Sequence, residues 1–372
     1  MIKQKVLFIM HMPPPIHGAA MVGQYIYDSK LINQRFDCFY INESISRQVS
    51  QVGKFEWIKI FRIFFHCLEI ARAIRKIRPD LVYITPSSAN PEIGTIRYLF
   101  EFSVINYFGC RKLIHFHNKG NREKCKKKIF RSYYAMLFKN AKVIFLSRRL
   151  ESQYDWILDY KNILICPNGI PEQETVGPYK NKNNLVPRLL FLSNLIESKG
   201  VIVLLDALEK MKERGLSFYC DFVGGESSEI DTKRFENEVL KRSLNDFVCY
   251  HGKKIGKEKD TFFVSSNIFV FPTYYANECF PLVLLEAIQH GLPCVTTSEG
   301  GILDIIQDGV NGIVVESQNC VALADAISTL IEDPKLREKM GNMGHRMFKE
   351  KFTTEIFESR LAECIQKTID DR

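Results

Sequence analysis

Short apolar runs separated by longer amphipathic stretches recur through most of the chain, and this alternation constrains the fold more than any other feature. Lys5–Met10, Leu81–Ile84, Leu113–Phe116, Arg188–Leu192 and Ile268–Phe271 have the length and the β-branched or aromatic content of buried strands. The stretches between them have helical spacing. Strands alternating with helices specify parallel sheets wrapped by helices, so the fold class is α/β. Further strands are predicted at Phe218–Val223, Val248–Tyr250, Cys294–Thr297 and Ile313–Val315, giving a second doubly wound domain after the first. A chain of 372 residues exceeds one ordinary core and suits two, with a cleft between them.

The boundary is read at residues 171–187, where Pro171, Gly177, Pro178, Pro187 and the polar run Lys180–Asn184 break all periodicity. The predicted domains are residues 1–170 and 171–349, with a C-terminal helix over about residues 350–372 packing back onto the first domain. The net charge of +8 is unevenly spread. Residues 1–180 hold 28 Lys and Arg against 14 Asp and Glu, and the remainder holds 23 against 29. A basic surface attracts phosphates, nucleic acid or anionic lipid, and charge does not choose among them.

Within the basic half, Lys59, Arg62, His66, Glu69, Arg72 and Lys76 recur every three or four positions, leaving an apolar face with Phe61, Phe65 and Leu68. This predicts a helix from Trp57 to Lys76 with a cationic outer face. A second basic stretch, Arg122 to Lys142 with Lys124, Lys126, Lys127 and Lys128, reads as a solvated helix face. Eleven cysteines without a C-x-x-C pair fit reduced thiols. The apolar stretch Val6–Met10 is too short for a signal-peptide core and no run reaches bilayer length, so the expected location is cytoplasmic.

Two places invite an anion. After the first strand and Pro13–Pro15, a helix opens at His17-Gly18-Ala19-Ala20, where small residues allow close backbone approach. After the strand Ile268–Phe271 comes Glu278-Cys279-Phe280-Pro281-Leu282-Val283-Leu284-Leu285-Glu286. A helix starting near Pro281 leaves Glu278 in the loop before it and Glu286 inside it. Carboxylates accept hydrogen bonds from sugar hydroxyls and first-turn amides attract phosphate, so the combination suits a nucleotide-sugar. His115 and His117 share one face of the strand Leu113–Phe116, and the strand-end position favours His117 as a site residue.

This segment resembles the glutamate-seven-residues-glutamate motif of family 4 retaining glycosyltransferases, which have the GT-B fold. Cys166–Ile170, Leu190–Gly200, Phe222–Gly225, Tyr250–Gly252, Gly291–Val295, Glu299–Gly301 and Asp308–Gly312 resemble further segments of that family, across nearly all of residues 167–316. The resemblance implies two Rossmann-like domains facing a central cleft. It implies that Glu286 binds the ribose hydroxyls, that Glu278 lies beside the transferred sugar, and that the amides near Phe280, Pro281 and Leu282 assist. Lys199 would neutralise the diphosphate, the Gly18 loop would approach it, and His117 would reach a sugar hydroxyl. Where the family usually shows arginine ahead of the lysine, this chain has Asn194, so part of the cationic clamp is replaced.

The same resemblance implies retention of configuration, with a leaving phosphate oxygen taking the acceptor proton. No D-x-D triplet occurs, and no metal or cofactor is expected. The implied partners are a nucleotide-sugar donor, with uridine diphosphate sugars commonest among look-alikes, and a glycan or lipid-linked acceptor in cell-surface polysaccharide synthesis. The basic front half adds contact with an anionic inner membrane face. Two other classes fit parts of the sequence. A nucleotide-sugar or glycan-binding protein without turnover would suit Asn194. Nucleic-acid binding would rest on the basic half alone, has no recognisable module behind it, and is not expected.

Overall fold

The computed structural model describes residues 3–14, 18–43, 57–86, 95–120, 122, 127–173 and 186–371. Most of the sequence-read linker, together with Lys124 and Lys126, lies outside the described residues. The chain divides into two compact units, Met1–Ile170 with Thr354–Arg372, and Pro171–Thr353. The chain re-enters the first unit at Thr354, a few residues beyond the predicted position, where Thr353 is buried and the Thr354 amide donates to the Ile170 carbonyl at 3.1 Å.

The first unit is a six-stranded parallel sheet. Its strands are β1 (Lys5–Met10), β2 (Asp37–Asn42), β3 (Leu81–Ile84), β4 (Lys112–His115), β5 (Ala141–Phe145) and β6 (Ile163–Ile165), in the order β2-β1-β3-β4-β5-β6. β3, β4 and β5 are buried throughout, and β3 accordingly reads as an unbroken apolar run, whereas β4 and β5 each bury a lysine, Lys112 and Lys142. The helix Thr354–Asp370 packs on β3, β4 and the short helix Lys30–Arg35. Lys142 is a correction to the solvated-helix reading. It lies in β5, is 6% exposed, and pairs with Asp371.

The helix Trp57–Ile77 is present, with Arg62, Glu69, Arg72 and Lys76 outward as the spacing suggested, but its buried face is not the one expected. His66 is 8% exposed and Cys67, Ile70 and Ile74 are buried, whereas Phe61 and Phe65 are 67% and 64% exposed. The buried stripe is set by the neighbouring helix Thr95–Tyr107, whose buried Glu101 faces His66 at 3.6 Å. Packing against a helix distant in sequence has turned a histidine inward and two phenylalanines outward.

The second unit repeats the plan with β7 (Arg188–Leu192), β8 (Tyr219–Val223), β9 (Val248–Tyr250), β10 (Ile268–Phe271), β11 (Cys294–Thr296) and β12 (Gly312–Val314), all parallel. The order β12-β11-β10-β7-β8-β9 places the reversal of winding between β7 and β10. In such sheets ligands bind outside the carboxyl ends of the strands at this switch point.

Candidate functional site

The loops leaving β7 and β10 meet at the switch point of the second unit. From the first comes Lys199, in a single 3₁₀ turn, Glu197–Lys199. Gly200 then has φ of +90°, and a Cβ there would lie 2.3 Å from the Pro272 carbonyl oxygen. Only glycine lets the two loops approach this closely. The amide of Tyr274 donates to the Ser198 carbonyl at 2.8 Å and stitches them together.

This approach brings Lys199 Nζ to 2.6 Å from Glu278 Oε2, with side chains 15% and 8% exposed. The same carboxylate oxygen accepts from the Thr273 hydroxyl at 3.3 Å. The ammonium also sits 4.5 Å from the Tyr275 ring centroid and 5.5 Å from that of Phe271, a partly desolvated cation over aromatic faces. An ammonium has three donors and one is used here, so two remain for an anion, while Glu278 Oε1 remains an acceptor. Two residues 79 positions apart thus form one cation–carboxylate unit.

The helix Leu282–Gln289 starts directly after it. Pro281 occupies the N-cap position without a side-chain cap, Phe280 is 5% exposed, and its ring packs 6.0 Å from that of Phe352. An uncapped helix start presents amide hydrogens and the positive end of the helix dipole. Inside the helix, the half-buried Glu286 pairs with Lys259 from the helix Gly256–Ser265. Burial pushes the Glu286 carboxyl above its ordinary value, and the Lys259 ammonium opposes that shift.

Asn194 is exposed at the end of β7, and its Oδ1 accepts from the Gly225 amide at 3.2 Å, tying the loops after β7 and β8. A methyl group at Gly225 would lie 3.2 Å from Asn194 Oδ1 and 3.9 Å from Lys253 Cδ. The Asn194 side chain and the stem of Lys253, which follows β9, thus both approach Gly225. Among the described residues the Lys253 ammonium has no hydrogen bond or ion pair. Sequence reading missed Lys253 and Lys259, because nothing local distinguishes them from Lys254 and Lys257.

In the first unit, His117 follows the end of β4 and is half-buried, its ring 4.2 Å from that of His115. His115 is fully buried, its Nδ1 lies 2.7 Å from the Tyr83 hydroxyl, and burial followed by the nearby His117 holds it well below the usual histidine range. Gly18 begins the helix Gly18–Asp28, and a Cβ there would meet nothing within 4 Å. Within the chain a close backbone approach occurs at Gly23, where a Cβ would lie 1.9 Å from the His11 carbonyl oxygen. His17 lies outside the described residues.

The first unit also buries a charged cluster that the sequence did not flag. Arg97 reaches Glu43 at 3.4 Å and bonds Glu101, both carboxylates being fully buried, while His11 and His66 face Glu43 and Glu101 at 3.6 Å each. Burial raises both carboxyls above their usual range, with Arg97 opposing, and burial followed by Arg97 lowers His66 to about 4. The Arg97–Glu101 spacing of four was the only sequence signal. No group of three His, Cys, Asp or Glu among the described residues could hold a metal ion.

Two Rossmann-like units in one chain, the second with a cation, two carboxylates and a helix start near its switch point, define the class: a GT-B fold of the kind found in glycosyltransferases. Residues 173–347, nearly all of the second unit, match the family described as glycosyl transferases group 1. A capsular polysaccharide biosynthesis glycosyltransferase, CapM of Staphylococcus aureus, is 26% identical over 166 residues, 45% of this chain and 42% of that protein. A D-inositol 3-phosphate glycosyltransferase of an Arthrobacter species is 28% identical over 192 residues, 49% of this chain and 45% of that protein. The O-antigen chain mannosyltransferase C of Escherichia coli is 24% identical over 250 residues, 60% and 65% of the two chains. The matches thus span 42% to 65% of these relatives' lengths. Among solved structures, a glycosyltransferase from Rickettsia africae superposes with TM-score 0.75 and 19% identity over 100% of both chains. A structure of Anabaena HepE in complex with UDP gives 0.75 and 14% identity over 98% of this chain and 100% of that one.

Proposed function

We propose that the chain transfers a sugar from a nucleoside diphosphate sugar to a glycan or lipid-linked acceptor in cell-surface polysaccharide synthesis, with retention of anomeric configuration. The observation that carries this reading is the Lys199–Glu278 pair beside the uncapped start of the helix Leu282–Gln289. The UDP in the HepE structure and the polysaccharide setting of CapM favour a uridine diphosphate sugar donor and an envelope-polysaccharide product.

On this reading Lys199 and the amides of Phe280, Pro281 and Leu282 hold the diphosphate, Glu278 accepts from a hydroxyl of the transferred sugar, and Glu286 accepts from the ribose. His117 contacts a sugar hydroxyl and the Gly18 turn a phosphate. As the sugar–phosphate bond breaks, negative charge grows on the diphosphate, and preorganised donors stabilise it without rearranging. A phosphate oxygen of the leaving group takes the acceptor proton, so no protein base acts and no metal or cofactor is required. Asn194 holds loop to loop, and Lys253 supplies the second cation. The reaction takes place in the cytoplasm, at the inner membrane face.

Release of nucleoside diphosphate from a panel of donors and acceptors, with and without chelator, tests turnover, and the anomeric coupling constant of the product tests retention. Chelator-sensitive release would remove the metal-free mechanism. Saturable nucleotide-sugar binding with no release for any acceptor would leave a binding protein, the role that the neutral Asn194 would suit.

A further inference from the structure

Three neighbouring helices of the first unit, Trp57–Ile77, Thr95–Tyr107 and Lys128–Phe138, form a continuous layer in which the middle helix packs against both others. Their outer surface is unusual in two ways. Phe61, Phe64 and Phe65 are 67%, 58% and 64% exposed, and Leu99, Phe100 and Tyr107 on the adjacent helix are 38%, 57% and 82% exposed. Single exposed apolar residues need no explanation, but large side chains clustered on two touching helices mark an interaction surface. The second feature is charge. Arg62, Arg72, Arg75 and Lys76 on the first helix and Lys128 and Arg131 on the third are exposed, against one exposed carboxylate on the three helices, Glu69.

We propose that this layer is a monotopic membrane-docking face, with the phenylalanines of Trp57–Ile77 and Thr95–Tyr107 inserted among lipid acyl chains and the cations held at anionic headgroups. Charge complementarity selects an anionic lipid surface, because six exposed cations accompany the apolar side chains on these helices against a single exposed carboxylate, Glu69. No helix among the described residues is long and apolar enough to cross a membrane, so the contact is interfacial. The proposal deepens the membrane-side placement given above by making insertion, and not charge alone, the source of binding. A purely electrostatic contact is screened once the Debye length falls to a few ångströms, whereas buried aromatic side chains keep their hold in salt.

The test is flotation of the whole protein with vesicles of phosphatidylglycerol and phosphatidylcholine, or of phosphatidylcholine alone. It compares wild type with a Phe61→Ser, Phe64→Ser, Phe65→Ser triple variant, each at low salt and at ~0.5 M salt. Wild type should bind the anionic vesicles and keep much of that binding in salt, and the triple variant should lose roughly a hundredfold in partitioning. The exposed positions should leave the melting temperature and the UDP-induced thermal shift unchanged, which separates this proposal from the donor-site reading. A triple variant that floats like wild type, or wild-type binding abolished by salt, overturns insertion and leaves an electrostatic contact. No flotation with either vesicle overturns both insertion and the membrane-side placement. A stable dimer that the triple variant dissociates, without lipid binding, assigns the face to self-association instead.

Discussion

In the first unit, Arg97 joins Glu43 and Glu101 with both carboxylates fully buried, whereas in the second the Lys199–Glu278 and Lys259–Glu286 pairs keep part of their surface open. Both units are six-stranded parallel sheets, and both sets of charges stand in or beside loops after strand ends or on helices close by. The difference shows what architecture leaves undecided. The carboxylates of Glu43 and Glu101 have no exposed side that a ligand could reach. A charge with donors or acceptors left over can be shared with a ligand. The surfaces diverge in the same way, with an excess of 14 positive charges over residues 1–180 and an excess of 6 negative charges beyond.

The largest expected effect would break this comparison if it failed. Arg97→Met leaves two buried carboxylates without their cation and should cost about 3 to 5 kcal/mol of stability. Activity per folded molecule should be nearly normal. Denaturant unfolding beside specific activity measures both, and a stable but inactive variant would place the cluster in the chemistry. Lys199→Ala should do the reverse. Turnover falls roughly two to three orders of magnitude, about 3 to 4 kcal/mol, while the melting temperature stays close to wild type. Lys199→Arg should restore only part of the rate, since a planar fork does not replace a compact ammonium.

Glu286 sharpens the comparison through pH. Its carboxyl is raised by burial, so the folded state keeps a proton that the unfolded chain has already released. That contribution to stability is therefore lost as pH rises through the raised value. Nucleotide binding has the opposite slope, because protonation removes acceptors for the ribose. UDP affinity should fall as pH drops through the raised value, earlier than for an ordinary glutamate, and Glu286→Gln should flatten the profile in calorimetric titrations. Glu286→Ala should weaken UDP by about tenfold to a hundredfold, from one or two lost charged hydrogen bonds. Glu278→Ala should mainly lower turnover with UDP affinity nearly kept.

The smallest effect concerns Lys253. An exposed cation contributes less than a half-buried one, so Lys253→Ala should weaken the donor by about tenfold or less and steepen the loss in a Lys199→Ala background. Purely additive effects in that double-mutant cycle would separate the two lysines. Asn194→Arg in the Lys253→Ala background should recover donor affinity, and no recovery would show that the position beside Gly225 does not face phosphate.

The chain itself determined the α/β class, most strands to within a residue or two, and the two-domain division, because a buried parallel strand and an amphipathic helix are written in periods of a few residues. β2, β5 and β6 escaped notice. β2 is only partly buried, β5 begins within a lysine-rich stretch whose Lys142 is sealed by Asp371 from the far end of the chain, and β6 is only three residues long. The helix Trp57–Ile77 was legible as a helix but not as to its buried face, since one apolar stripe reads much like another until a neighbouring helix covers one side. The same limit held at the candidate site. The family resemblance singled out Lys199, Glu278 and Glu286, yet it did not show that Lys199 reaches Glu278, that Lys259 holds Glu286, or that Lys253 and Asn194 both approach Gly225. Local periodicity depends on neighbours along the chain, whereas these meetings depend on which strands lie side by side, and only the folded sheet decides that.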